Sequence, residues 1–280
     1  MVHIITDSTS DLNPARAAAL GVDVLPLTVH FGKDSYRDGI DIDIPTFYQK
    51  LEAAKELPTT SQLNPAMIED AVKPYLSVGD SVVMVTLSSA LSGTYQSAML
   101  AADLLNAKQM YVVDSGSVTF GIGMLVEEAV ILRDRGYSAH DIADTLDTVK
   151  KRLRFYASVG SLKYLVMGGR ISGAAGVIGT VLGINPMISI RNGIITNVGK
   201  VRGQKAAYRW MYERLKEEPL DPDLPYCFGH SNRPDLMAEF EAYVSRFQDV
   251  SHALHCDLGA VVGTHGGPGC VGYAYFTKEK

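Results

Sequence analysis

The stretch Thr86-Leu87-Ser88-Ser89-Ala90-Leu91-Ser92-Gly93-Thr94-Tyr95-Gln96-Ser97-Ala98 limits most sharply what this chain can fold into. Ahead of it, Val82-Val83-Met84-Val85 is an unbroken apolar run, the pattern of a strand buried on both faces. After it, Tyr95, Met99, Leu100 and Leu104 recur at helical spacing. Between strand and helix lie Ser88, Ser89 and Ser92, with Gly93 permitting close backbone approach. Such a loop suits an anion, because the first helical N–H groups are unpaired and the helix dipole favours negative charge there. A plain helix cap is the competing reading of Ser92, and the spacing alone leaves both open.

The same pattern recurs along the first half. Ile4-Ile5 runs into Thr6-Asp7-Ser8-Thr9-Ser10-Asp11, and Met110-Tyr111-Val112-Val113 into Asp114-Ser115-Gly116. Pro58-Thr59-Thr60-Ser61-Gln62 is a further hydroxyl cluster. Helical patterns near 14–20, 45–54, 65–75, 121–135 and 139–154 separate these segments, which predicts a parallel sheet covered on both faces. In such sheets ligands bind outside the carboxyl ends of the strands. The pattern changes after Phe155. An Asn192-Gly193 turn between apolar runs predicts a β-hairpin, followed by a charged amphipathic helix over 204–217, a strand at 227–231, a helix at 234–247 and a short strand near 251–257. The expected fold is therefore α/β in two domains. Residues 1–155 form a parallel-sheet α/β/α domain, and residues 156–280 an α/β domain with a mixed sheet. From Ala174 to Ile184, small residues alternate with apolar ones, which suits either the wall of an elongated cavity or a closely packed helix.

Composition and absent motifs remove several classes of function. A net charge of −5 argues against a general nucleic-acid binder. No apolar run approaches the ~18 residues of a membrane span, and the opening Met1-Val2-His3-Ile4-Ile5 reads as a buried strand, so a cytoplasmic protein is expected. Cys227, Cys256 and Cys270 lack metal-type spacing and read as buried thiols in a reducing compartment. There is no phosphate-binding G-x-x-x-x-G-K-[ST] and no dinucleotide fingerprint after a strand. Asp7, Asp11 and Asp38 are without close His or Cys companions, so no metal is expected.

Among the histidines, His265 stands out because Gly263, Gly266 and Gly267 flank it in what reads as a loop. Ser92, His265 and an acid such as Asp114 would make a hydrolase triad, but Leu91-Ser92-Gly93 is not a nucleophile elbow. Arg170, after Gly168-Gly169, and Arg202, in Gly199-Lys200-Val201-Arg202-Gly203, are either solvated loop charges or bidentate partners for carboxylate or phosphate.

Together these stretches resemble the DegV family. Thr6-Asp7-Ser8-Thr9-Ser10-Asp11, Pro58-Thr59-Thr60-Ser61-Gln62 and Leu87 to Tyr95 match its successive motifs, with Asp114-Ser115 following. Leu162-Lys163-Tyr164-Leu165, Gly168-Gly169-Arg170-Ile171, Ile184-Asn185-Pro186, Gly199 to Gly203 and Gly266-Gly267-Pro268-Gly269 complete the order over essentially the whole chain. The resemblance implies a protein that holds one long-chain fatty acid, its carboxylate between the domains and its tail in an apolar tunnel of the C-terminal domain. It further implies the fatty-acid-binding (FakB-like) subunit of a bacterial fatty acid kinase, not catalytic alone. A separate ATP-binding subunit then converts the bound carboxylate to an acyl phosphate, with transient membrane contact. No cofactor beyond the bound lipid is implied. Carried over by motif, Thr60, Ser92 and His265 are the carboxylate ligands and Ser61 and Ser89 possible seconds, while Arg170 and Arg202 serve phosphate handling or partner docking. The alternatives are a stand-alone Ser/His acyl hydrolase and a lipid-responsive sensor.

Overall fold

The computed structural model describes residues 1–171 and 183–279. The chain begins with β1 (Val2–Asp7), a 3-10 turn at Ser8–Ser10 and α1 (Pro14–Leu20), followed by β2 (Val22–Leu25), β3 (Thr28–Phe31), β4 (Asp34–Arg37), α2 (Ile44–Ala53), β5 (Thr59–Ser61) and α3 (Pro65–Leu76). The helices start where the local chemistry dictates. Asn13, Asp43 and Asn64 each accept a backbone N–H of the first turn, and a proline occupies one of the first two helical positions. Next come β6 (Ser81–Thr86), α4 (Thr94–Leu104), β7 (Met110–Asp114), α5 (Phe120–Asp134) and α6 (Ala139–Val149).

β2, β1, β6 and β7 lie side by side in that order, all parallel. The winding reverses at β1, which has β2 on one side and β6 on the other. That reversal opens a crevice beyond the carboxyl ends of β1 and β6, where ligands enter sheets of this kind. The Ser88–Ser92 loop leaves β6 at that point.

The second sheet takes up with β8 (Leu153–Ser158), so the expected division at 155/156 falls inside a strand. It is completed by α7 (Lys163–Met167), β9 (Ile184–Arg191), β10 (Ile194–Arg202), α8 (Gln204–Glu217), β11 (Tyr226–His230), α9 (Pro234–Val244), β12 (Leu254–Asp257), α10 (Ala260–Gly266) and β13 (Val271–Phe276). The order is β10-β9-β8-β13-β11-β12, and only β11 and β12 run parallel. Asn192 and Gly193 both sit at positive φ (51° and 76°), as the tight β9–β10 turn requires.

A short antiparallel sheet, β4-β3-β5, was not anticipated. β3 (Thr28-Val29-His30-Phe31) does alternate, but its partners Asp34-Ser35-Tyr36-Arg37 and Thr59-Thr60-Ser61 are too polar and too brief to announce a sheet. A second correction concerns the stretch around His265, which is helical in α10 and not a loop. The segment at 174–184, expected as either a cavity wall or a closely packed helix, lies, up to residue 182, outside the described residues.

α5 explains why the sheets form one body. Apolar almost all round, it buries Phe120, Ile122, Leu125, Val126 and Ala129 in a cluster shared with Val83 and Val85 of the first sheet and Phe155 and Ala274 of the second. Phe120 stacks on Phe155 at 4.6 Å, and Gly229 admits it, since a Cβ there would come within 2.3 Å of the Phe120 ring.

Candidate functional site

A cavity of about 160 Å³ occupies the crevice beyond β1 and β6. Among the described residues its apolar wall comes from both halves, with Leu27, Leu87 and Val118 facing Phe155, Ile188 and Val262. One end carries Thr60, Gln62, Ser92, Arg170 and His265, and Thr9 and Thr119 also line the cavity.

β5 delivers Thr60 by strand alternation. Thr60 points inward, its Oγ1 2.8 Å from His265 Nε2, whereas Ser61 points out to solvent, its Oγ 2.7 Å from His30 Nε2. Ser92 lines the cavity; its Oγ accepts from the Thr94 N–H at 3.3 Å and lies 3.1 Å from Thr94 Oγ1, while the N-cap of α4 is Gly93, which has no side-chain cap bond. The plain-cap reading of Ser92 is thus corrected by one residue. Gln62 was not singled out from sequence. It spans the start of α4, accepting the Gly93 N–H at 3.0 Å and donating to Ser97 Oγ at 3.2 Å. Gly93 is needed for this, because a Cβ would meet Gln62 Oε1 at 2.3 Å.

His265 sits near the end of α10, pressed by Gly168, where a Cβ would lie 2.3 Å from Nδ1. Nδ1 itself is buried and hydrogen-bonds nothing among the described residues. Burial, and then the Arg170 charge, push the imidazole down from 6.5 to about 4, so at neutral pH it is uncharged and carries a single N–H. Arg170 donates to Leu91 O at 3.3 Å and to Gly168 O at 2.5 Å, and no ion pair engages it among the described residues.

The other expected site residues lie elsewhere. Ser89 faces a separate polar cleft with Asp114, Lys150 and Arg191, its backbone N–H donating to Asp114 Oδ1 at 3.1 Å. The same loop turns Ser88 and Ser89 one way and Leu91 and Ser92 the other, which is why only Ser92 reaches the apolar cavity. Arg202 is exposed at the end of β10 and is not among the described cavity residues. The three aspartates considered as metal ligands are engaged by protein donors, Asp7 by the Thr9 and Leu87 N–H groups at 3.0 and 2.9 Å. Among the described residues no group of three or more His, Cys, Asp or Glu is placed to hold a metal ion.

The depressed imidazole has a measurable consequence. Between pH 6.5 and about 4 the unfolded chain holds more protons on His265 than the folded one, so this group makes stability fall as pH drops through that window and adds no slope above it. Asp7, pushed up to about 6 by burial, has the opposite sense. The expected result is therefore a difference. Subtracting the pH–stability curve of His265→Asn from that of the unmodified protein leaves a loss between pH 6.5 and about 4. A flat difference would refute the burial of the ring.

Fold and site together define an α/β protein of two large sheets and one small one, with a largely apolar cavity between its halves that is polar at one end. The chain belongs to the DegV family: the model described as "Uncharacterised protein, DegV family" matches residues 1–278. It is 34% identical to a DegV domain-containing protein of Caldanaerobacter subterraneus subsp. tengcongensis, over 100% of this chain and 99% of the relative. Another, from Deinococcus radiodurans, is 36% identical over 98% of this chain and 97% of its own length. Among solved structures, the chain is similar to a DegV family protein from Thermus thermophilus described for its fatty acid binding (TM-score 0.90, 31% identity, 99% of each chain). It is likewise similar to DegV, a fatty acid binding protein from Bacillus subtilis (TM-score 0.84, 29% identity, 99% of each chain). No helix among the described residues is long and apolar enough to cross a membrane.

Proposed function

We propose that this protein binds one long-chain fatty acid, with the carboxylate at Thr60, Ser92 and His265 and the tail along the apolar wall, and presents it to a separate ATP-dependent kinase subunit. The observation that carries the reading is a largely apolar cavity with a hydroxyl and a neutral imidazole already paired at its polar end. A carboxylate leaving water needs donors, since an unpaired buried charge is very costly. Hydroxyls and one imidazole N–H supply them. Burial of the tail contributes about 0.8 kcal/mol per CH₂, which makes chain length the main source of affinity. The solved relatives described as fatty-acid-binding support the same reading.

Hydrolysis fits the geometry poorly. Ser92 Oγ pairs with Thr94 and His265 Nε2 with Thr60, so Ser92 and His265 do not form a serine–base pair. The test of binding is denaturing extraction of the purified protein followed by mass spectrometry. A stoichiometric long-chain fatty acid is expected, and an empty extract with no uptake of added fatty acid would remove the function.

Arg170, at the polar end and without an ion pair among the described residues, is suited to a phosphoryl group arriving at the carboxylate. Arg170→Ala is expected to keep its lipid while acyl-phosphate formation by the kinase subunit and ATP falls by at least about ten-fold. Loss of the lipid instead would make Arg170 a carboxylate anchor.

A further inference from the structure

Two carboxylates of the N-terminal half reach across to the start of α10. Asp38, buried just beyond β4, accepts the N–H groups of Ala260 at 2.9 Å and Val261 at 3.4 Å. Asp11 Oδ1 accepts the Gly259 N–H at 2.9 Å, while its Oδ2 accepts the Thr119 hydroxyl at 2.5 Å. The N-cap of α10 is Gly259, which has no side chain to satisfy these groups. Their acceptors come from more than two hundred residues earlier in the chain. A seven-residue helix is also far too short to stand alone. Its start is therefore set by Asp38 and Asp11, and its packing by Phe47 and Tyr48, against which Gly263 lies. At the opposite end of the same helix is His265, held by Thr60.

We infer that Asp38 and Asp11 are positioning residues for the carboxylate site: they fix the height and tilt of α10 and so bring His265 Nε2 to Thr60, without lining the polar end of the cavity themselves. The inference rests on the fatty-acid reading of that site. A backbone N–H pair held by a carboxylate is stronger than one held by a neutral acceptor, which suits an element that must not slide. Asn at position 38 keeps the shape but offers one acceptor oxygen in place of two.

The experiment uses the full-length, delipidated protein with a long-chain fatty acid and the fatty alcohol of equal length. The unmodified protein is expected to prefer the acid. In Asp38→Ala, acid affinity falls about ten-fold while alcohol affinity stays within about two-fold, so head-group preference collapses, and Asp38→Asn lies between. A folded Asp38→Ala with unchanged preference overturns the inference, and if that variant does not fold, Asp38→Asn decides by the same ratio. A second readout is independent of lipid. The His265 imidazole, followed by NMR in the ligand-free protein, titrates near pH 4 in the unmodified chain and moves towards 6.5 in the Asp38 variants as the ring leaves its burial. An unmodified protein that binds acid and alcohol alike, with His265 still moving in the variants, would sink the fatty-acid reading and leave the positioning role standing. An unmoved His265 would sink the positioning role itself.

Discussion

His265→Ala is expected to weaken fatty-acid binding by about ten- to a hundred-fold, because hydrogen bonds to a charged group contribute roughly 1.5–3 kcal/mol. The fatty alcohol of the same length should bind within about three-fold of its affinity for the unmodified protein, since most of its affinity comes from the tail. The fold should tolerate the change. Nε2 of the ring hydrogen-bonds Thr60, and Nδ1 makes no hydrogen bond among the described residues. Removing the ring therefore deletes one native hydrogen bond, and comparison with the alcohol isolates the loss at the carboxylate. Thr60→Val should act in the same direction, by taking away the hydroxyl that faces the imidazole and leaving a buried nitrogen unpaired. Titration calorimetry against the acid and the alcohol separates the two effects. Equal losses for both ligands would mean that His265 shapes the cavity without binding the head group, and no loss would remove it from the site.

What could be read from sequence follows from how far each signal reaches along the chain. The Val82–Val85 run and the Asn192-Gly193 turn are local, and the elements they announce are present. α10 was misread because its start depends on Asp38 and Asp11, distant in sequence, while its own residues, rich in glycine, signal a loop. The three-stranded sheet was missed for a related reason: Asp34-Ser35-Tyr36-Arg37 shows no alternation, and its pairing with β3 exists only in three dimensions. At the cavity, the motifs carry no information on the direction of each side chain. Ser61 and Ser89 share motifs with Thr60 and Ser92, yet the strand alternation of β5 and the turn of the 88–92 loop send them to solvent and to another cleft. Gln62 carried no signal beyond its place in a hydroxyl cluster, because its role is to bridge to Gly93 and Ser97.

Gly263→Val is expected to destabilise the protein by about 3 kcal/mol, near the upper end for overpacking a core. A Cβ at this position would lie 2.5 Å from Phe47 Cε1 and 2.8 Å from the Tyr48 hydroxyl. Neither neighbour can retreat. Both rings are fully buried, they pack edge to face at 4.9 Å, and the Tyr48 hydroxyl donates to Leu258 O at 3.1 Å. α10 must therefore lift away from α2, breaking the contacts that place His265. A fall in Tm of about 6–10 °C should accompany a loss of fatty-acid preference in whatever fraction remains folded. The same helix provides the control. Gly266, also on α10, would place a Cβ with nothing within 4 Å, so Gly266→Ala should leave Tm within about 2 °C of the original. If both substitutions were tolerated, close packing of α10 on α2 would not be what holds the imidazole in place. If both were severe, the helix itself would be intolerant of side chains, and the clash with Phe47 and Tyr48 would not be the cause.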